Sequence, residues 1–237
     1  MKMLVLAGGF GTRLQTTVSG IPKALAPIDN QPFLLIQLKN WISQGIHEFT
    51  FLLHYQNEAI ISFLQSNKSG ILKNCNINWV IEKTPMGTGG AIVHAIRQLN
   101  LNGEFLLINA DTWISTGINK ILDTQSPTIA VIYKKNINRY GQVKFDSMNR
   151  VIQFTEKIES NSKGWINSGL SYLHSDFFHD LNDHPFSLEH DFYEILIKKR
   201  VLNVIKLKTE FIDIGIPADY FEFCNWYKSK SEKQLCN

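Results

Sequence analysis

The stretch LAGGFGTRL at residues 6–14 concentrates residue types with a use in phosphate chemistry. Leu6 and Ala7 end an apolar run, Gly8, Gly9 and Gly11 leave the backbone bare, and Thr12 and Arg13 follow at once. Pro22 and Lys23 come next, with Lys23 ten positions beyond Arg13. Bare amides beside two cations suit a polyanion, and a strand followed by a glycine-rich turn and a helix is a phosphate-binding arrangement. A Walker loop closes on Gly-Lys-Ser/Thr, whereas this one runs Gly11-Thr12-Arg13. The dinucleotide fingerprint G-x-G-x-x-G finds Gly9 and Gly11 but meets Leu14 at its third glycine. The pattern G-G-x-G-T-R-L followed by Pro-Lys is complete. A glycine turn with no ligand is the bland alternative, and the two cations weigh against it.

Two aspartates are the next candidates. Asp111 ends the apolar run EFLLINAD (104–111), and Asp213 sits between apolar neighbours in FIDIGIP. A pair of carboxylates is a fitting hard-oxygen site for Mg²⁺, which keeps waters and takes its other ligands from phosphates. Taken singly, each reads as well as a cap or a solvated turn. The seven histidines have no paired spacing and are read as ordinary surface or satisfied residues.

These residues need a scaffold. MKMLVLA, FTFLL (49–53), INWVIE (77–82) and EFLLINAD read as buried strands. Between them lie helical patterns: Leu34, Leu38, Trp41 and Ile42 stopped by Gly45, then NEAIISFLQ from an Asn cap, then GGAIVHAIRQL. Alternation of this kind predicts an α/β fold with parallel strands. The second half changes character. TIAVIYK, GQVKF, RVIQFTEK and GWINSGLSYL are strands in close succession, with DSMN as a hairpin turn. SDFFHDL, LEHDFYEILIKK and PADYFEFCNWYK read as helices, and VLNVIKL as a strand. The aromatics of the last helix are expected to pack or to form an interface. With no linker between the halves, residues 1–237 read as one domain, about 1–113 binding one ligand and about 114–237 completing the site.

Bulk properties agree with a globular protein. A net charge of +3 is too mild for a nucleic-acid binder. Cys75, Cys224 and Cys236 show no metal spacing and fit free thiols in a reducing cytoplasm. No signal-peptide pattern or membrane-length apolar run is visible, so no membrane partner is expected.

The motifs in order resemble the sugar-1-phosphate nucleotidyltransferase family over nearly the whole chain. The signature is LAGGFGTRL…PKALAPIDNQPFL, followed by EKTPMGTGGAI, INAD, YGQV, FTEK, INSGLSYL and FIDIGIPADY. Within the family, TGGAI and FIDIGIPADY look most like guanylyltransferases acting on D-glycero-α-D-manno-heptose 1-phosphate and on mannose 1-phosphate. The resemblance implies a Rossmann-like mixed, mostly parallel sheet with flanking helices. It implies a bacterial enzyme of surface-polysaccharide synthesis that joins a nucleoside triphosphate to a sugar 1-phosphate and releases pyrophosphate, with Mg²⁺ as cofactor and a homo-oligomer as a possible assembly. Residue by residue, it implies that Leu6, Ala7, Gly8, Gly9, Gly11, Thr12, Arg13, Gly87, Thr88, Asn109 and Asp111 hold the nucleotide. Arg13, Lys23, Asp111 and Lys157 carry the chemistry, and Asp111 and Asp213 hold the metal. Gly141, Glu156, Lys157, Asn167 and Gly169 face the sugar phosphate. Glu82 lies where the family contacts the base, with Gly87 as backbone partner. A carboxylate only accepts, so it can take two adjacent donors from guanine, which favours GTP over UTP, dTTP or CTP. The usual Asn-Gly-Asp is Asn109-Ala110-Asp111 here. A non-catalytic nucleotide-sugar-binding subunit is the reading of another class, against which the intact cations and carboxylates count.

Overall fold

The computed structural model describes residues 1–138, 140–155, 162–182 and 184–235. The chain opens with β1 (Lys2–Leu6), a small hairpin of β2 (Pro27–Ile28) and β3 (Gln31–Pro32), and helix α1 (Phe33–Ser43). Next come β4 (Glu48–Leu53), α2 (Asn57–Ser66), β5 (Asn76–Ile81), α3 (Gly87–Leu99) and β6 (Glu104–Asn109). Strands β7 (Thr112–Ile114), β8 (Thr128–Lys134), β9 (Gln142–Phe145), β10 (Val151–Thr155) and β11 (Gly164–His174) follow. Helix α4 (Tyr193–Lys198), β12 (Asn203–Lys206), β13 (Phe211–Asp213) and α5 (Pro217–Leu235) complete the described chain.

Among the described residues nine strands form one mixed sheet. Its first half runs β5-β4-β1-β6, all parallel. The chain moves outward from β1 to β5 and then returns to β6 on the other side of β1. Strand order reverses there, and α/β sheets bind ligands beyond the carboxyl ends at such a point. β11 pairs antiparallel with β6 and carries the sheet into the second half, where it also pairs with β8 and β9.

Both faces of β1 are covered, which explains its unbroken apolar run. Met3 and Val5 pack in one core cluster with Leu34, Trp41 and Ile60 of α1 and α2, while Leu4 packs in the other with Ile92 and Ile96 of α3 and Leu196 of α4. A third cluster joins the glycine loop to α5 through Leu14, Phe33, Trp113 and Phe223. Phe223 is fully buried and meets Phe33 edge-on at 4.9 Å, so the last helix packs through this residue, whereas Phe221 is 52% exposed. Among the described residues no helix is long and apolar enough to cross a membrane.

Local signals hold with small changes. Gly45 takes φ +89° at the end of α1. The DSMN turn closes with the Asn149 N–H donating to the Asp146 carbonyl at 3.0 Å. The start of α2 differs: Gln56, at φ +51°, holds the cap position, and Asn57 donates its side-chain amide to the His54 carbonyl instead. SDFFHDL forms only a short 3₁₀ turn at Ser175–Phe178, and helix α4 is preceded by a π turn over Leu188–Phe192.

Candidate active site

The carboxyl ends of β1, β5 and β6 open onto a cavity of about 360 Å³. The loop contributes Leu6, Ala7, Gly8 and Gly9 to its wall, and Lys23 lines it as well. Glu82, Gly87 and Thr88 come from the segment after β5, and Asn109 and Asp111 from the end of β6. Gly9 leaves open space where a side chain would stand. Gly8 has no such room, because a Cβ there would lie 3.1 Å from the His54 amide nitrogen. Gly11 turns at φ +61°, and a Cβ on it would press the Lys23 Cβ at 3.2 Å. That glycine therefore shapes the turn and lets Lys23 lie against the loop. Gly11 and Thr12 line neither this cavity nor the next.

Lys23 donates to Asp111 Oδ2, and both side chains are largely buried. The three-residue ladder of β7 and β13 pairs Thr112 with Asp213, which sets Asp213 beside Asp111. Asp213 Oδ1 accepts the Gly215 N–H at 2.7 Å. Burial first, and the Asp111 charge second, push the Asp213 carboxyl up from 3.8 to about 6, with Lys23 acting in the opposite direction. Two carboxylates thus share one lysine. Gln37, fully buried on α1, braces the turn that carries Asp111 by donating to the Thr112 carbonyl at 3.0 Å. Ala110 has no positive φ, so its methyl group is accommodated without backbone strain, packed in the core.

Glu82 is 7% exposed. Its Oε2 accepts the Met86 N–H at 2.9 Å, and its carbonyl oxygen lies 2.9 Å from His54 Nδ1. Burial raises its pKa, opposed by the Met86 amide and by His54 and His94. A buried acceptor at the wall of an open cavity is suited to donors on a ligand.

A second cavity of about 650 Å³ adjoins the first, since Thr88 and Asn109 line both. Gly141, Asn167 and Gly169 line it, together with Asp213 and, unlike the rest of the glycine loop, Arg13. Gly169 sits at φ +77° where the pairing of β11 with β8 shifts register between Asn167 and Ser171. A Cβ there would stand 2.6 Å from Asn109 Nδ2, so the bulge lets the two halves of the site touch. Tyr140, at the head of YGQV, also lines this cavity, as do Glu189 and His190, which no motif announced. His54, which no motif announced, lines the first cavity and meets Phe10 of the glycine loop edge-on at 5.7 Å. Glu156 and Lys157 lie outside the described residues.

A glycine loop, a lysine and paired carboxylates at a strand-order switch define a nucleotide-binding α/β protein. The nucleotidyl transferase family matches residues 2–230, and the chain belongs to it. It is 34% identical to the D-glycero-alpha-D-manno-heptose 1-phosphate guanylyltransferase of Campylobacter jejuni, over 94% of this chain and 98% of the relative. Identity to the protein of the same name from Aneurinibacillus thermoaerophilus is 36%, over 93% and 95% of the two chains. The crystal structure of HddC from Yersinia pseudotuberculosis superposes with a TM-score of 0.83 at 33% identity, over 95% of this chain and 99% of that one. HddC has also been solved complexed with GMP-PN, at a TM-score of 0.81.

Proposed function

We propose that this chain transfers a guanylyl group from GTP to D-glycero-α-D-manno-heptose 1-phosphate, releasing pyrophosphate. The observation that carries the reading is the pair of adjoining cavities, with Lys23 and Asp111 on the first and Arg13 and Asp213 on the second. The first cavity receives the nucleotide on the loop backbone. The second receives the sugar 1-phosphate, so that its phosphate reaches the α-phosphorus at the junction. The relatives at 34% and 36% identity supply the choice of base and sugar.

The attacking group is a phosphate oxygen, already anionic at neutral pH, so no side chain has to remove a proton. A bond forms from this oxygen to the α-phosphorus as the bond to pyrophosphate breaks, and the pyrophosphate keeps the electron pair. Catalysis then rests on alignment and on neutralising crowded negative charge. Lys23 and Arg13 are the described cations placed for it. Asp111 and Asp213 fit a divalent cation such as Mg²⁺, because one lysine leaves the two carboxylates with uncompensated charge. When bound, that ion would neutralise phosphate charge at the junction. The remaining work falls to the residues of the chain, with Glu82 reading the base and Asn109, Asn167 and Gly169 shaping the contact between substrates.

Base choice tests this reading. A pyrophosphate-release assay crossing GTP, UTP, dTTP and CTP with heptose, mannose and glucose 1-phosphates is expected to favour GTP by at least about tenfold in kcat/KM, or 1.4 kcal/mol. Glu82→Gln should erode that preference. Its amide oxygen can still accept the Met86 N–H and hold the 82–86 turn, while its NH₂ presents a donor to a donor. A wild-type preference for another base, or a Glu82→Gln enzyme that discriminates as before, removes Glu82 from the role.

A further inference from the structure

The first turn of α3 carries Gly87, Gly89 and Gly90, and what these residues meet is protein. A Cβ on Gly89 would lie 2.1 Å from the Phe186 ring, one on Gly87 2.5 Å from the Phe186 carbonyl oxygen, and one on Gly90 2.6 Å from the His184 carbonyl oxygen. The Gly89 N–H donates to that same Phe186 carbonyl at 3.0 Å, and the Phe186 N–H donates to the Met86 carbonyl at 3.1 Å. A segment of the second half thus lies flat against the helix start. The Gly89 amide there is held by a peptide carbonyl, although helix N-termini are ready-made sites for phosphate.

Thr88 carries the one side chain among positions 87–90. Its hydroxyl accepts the Leu188 N–H at 2.8 Å and donates to Glu189 Oε2 at 3.2 Å. Thr88 lines both cavities, and Glu189 lines the second. We propose that Thr88 is a positioning residue for the second substrate rather than a nucleotide contact, holding Glu189 so that its carboxylate accepts hydroxyl hydrogens of the sugar. The proposal rests on the sugar 1-phosphate transferase reading above. A carboxylate has only acceptors, and the polyol end of a sugar phosphate offers donors. It would repel the phosphate end, which belongs with Arg13 elsewhere on the same cavity wall. Glu189 therefore also fixes which way round the sugar phosphate enters.

The test is steady-state kinetics of Thr88→Val, Thr88→Ser and Glu189→Gln with GTP and D-glycero-α-D-manno-heptose 1-phosphate, together with calorimetric titration of each ligand. Thr88→Val keeps the shape and removes the hydroxyl. It should raise KM for the sugar phosphate about tenfold, the scale of one hydrogen bond to a charged group, and leave KM and calorimetric affinity for GTP within about twofold. Thr88→Ser should restore the sugar KM. Glu189→Gln should weaken the sugar phosphate alone, and adding Thr88→Val to it should cost little more. Weaker GTP binding with an unchanged sugar KM would make Thr88 a nucleotide contact and overturn the proposal. So would equal loss of both ligands without rescue by serine, which marks a structural role. A wild type that uses another triphosphate or sugar phosphate sinks the base or sugar assignment alone, and the same split is then read with that pair. If the wild type turns over no pair, the nucleotidyl-transfer reading fails, and the sugar-phosphate titrations of the five proteins still decide the role of Thr88.

Discussion

Replacing Lys23 by alanine is expected to lower turnover by about a hundredfold or more, the scale on which enzymes lose rate when one group facing transition-state charge is removed. Lys23 donates to Asp111 Oδ2 on the wall of the nucleotide cavity, and Gly11 lies against its stem. In the proposed reaction its ammonium would both offset the paired carboxylates and face the triphosphate. Arg13→Ala should fall by a similar factor for a simpler reason. The Arg13 side chain is exposed on the second cavity, so its loss leaves the core intact. Circular dichroism should match the wild type for Arg13→Ala, and turnover is measured as pyrophosphate release at saturating substrates. Near-normal rates in both variants would show that the loop is a structural turn.

What was legible in the sequence is what is local along the chain. The strand and glycine loop at residues 2–14 are consecutive, so residue order alone sets Gly8 and Gly9 beyond the end of β1, whereas the β2–β3 hairpin comes between the loop and α1 and was not expected there. The parallel half of the sheet follows from apolar runs broken by helical periodicity, and the observed order β5-β4-β1-β6 has the form such alternation allows. The approach of Asp213 to Asp111 was not legible from pattern. It depends on a ladder of three residues in each strand, too short to show a period, and the resemblance supplied it instead. Glu189 and His190 escaped for a related reason. LEHD begins a stretch with helical spacing, and nothing in it shows that Leu188 and Glu189 bond Thr88 across a hundred residues. The glycines of TGGAI were legible as glycines but not as to purpose, since packing against Phe186 and binding a ligand both require a missing Cβ. The histidines taken as ordinary include His54, whose Nδ1 is indeed satisfied by the Glu82 carbonyl, though its residue lines the nucleotide cavity.

The carboxylate pair should show itself in stability as well as in rate. EDTA is expected to abolish activity and Mg²⁺ to restore it, and Asp111→Asn and Asp213→Asn should each lose activity while retaining the fold. Neither aspartate fills the core, so far-ultraviolet circular dichroism should barely change. The sign of the pH effect follows from Asp213. Its folded value, about 6, lies above its ordinary 3.8, so between these the folded chain holds a proton that the unfolded chain has released. The metal-free protein therefore loses stability from this group as pH rises from about 4 to 6, and the deficit persists at pH 7.5. Mg²⁺ should offset that deficit by binding the ionised pair, raising the Tm more at pH 7.5 than at pH 5. Asp213→Asn removes the repulsion, so without metal it should melt above the wild type at pH 7.5, with each kcal/mol worth about 2–4 °C in a chain of this size. The same variant should show no Mg²⁺-dependent rise in Tm. A wild-type Tm indifferent to Mg²⁺ at both pH values, or an Asp213→Asn enzyme that keeps its rate and its metal dependence, would place the metal elsewhere and leave Asp213 a structural carboxylate bound to the Gly215 amide.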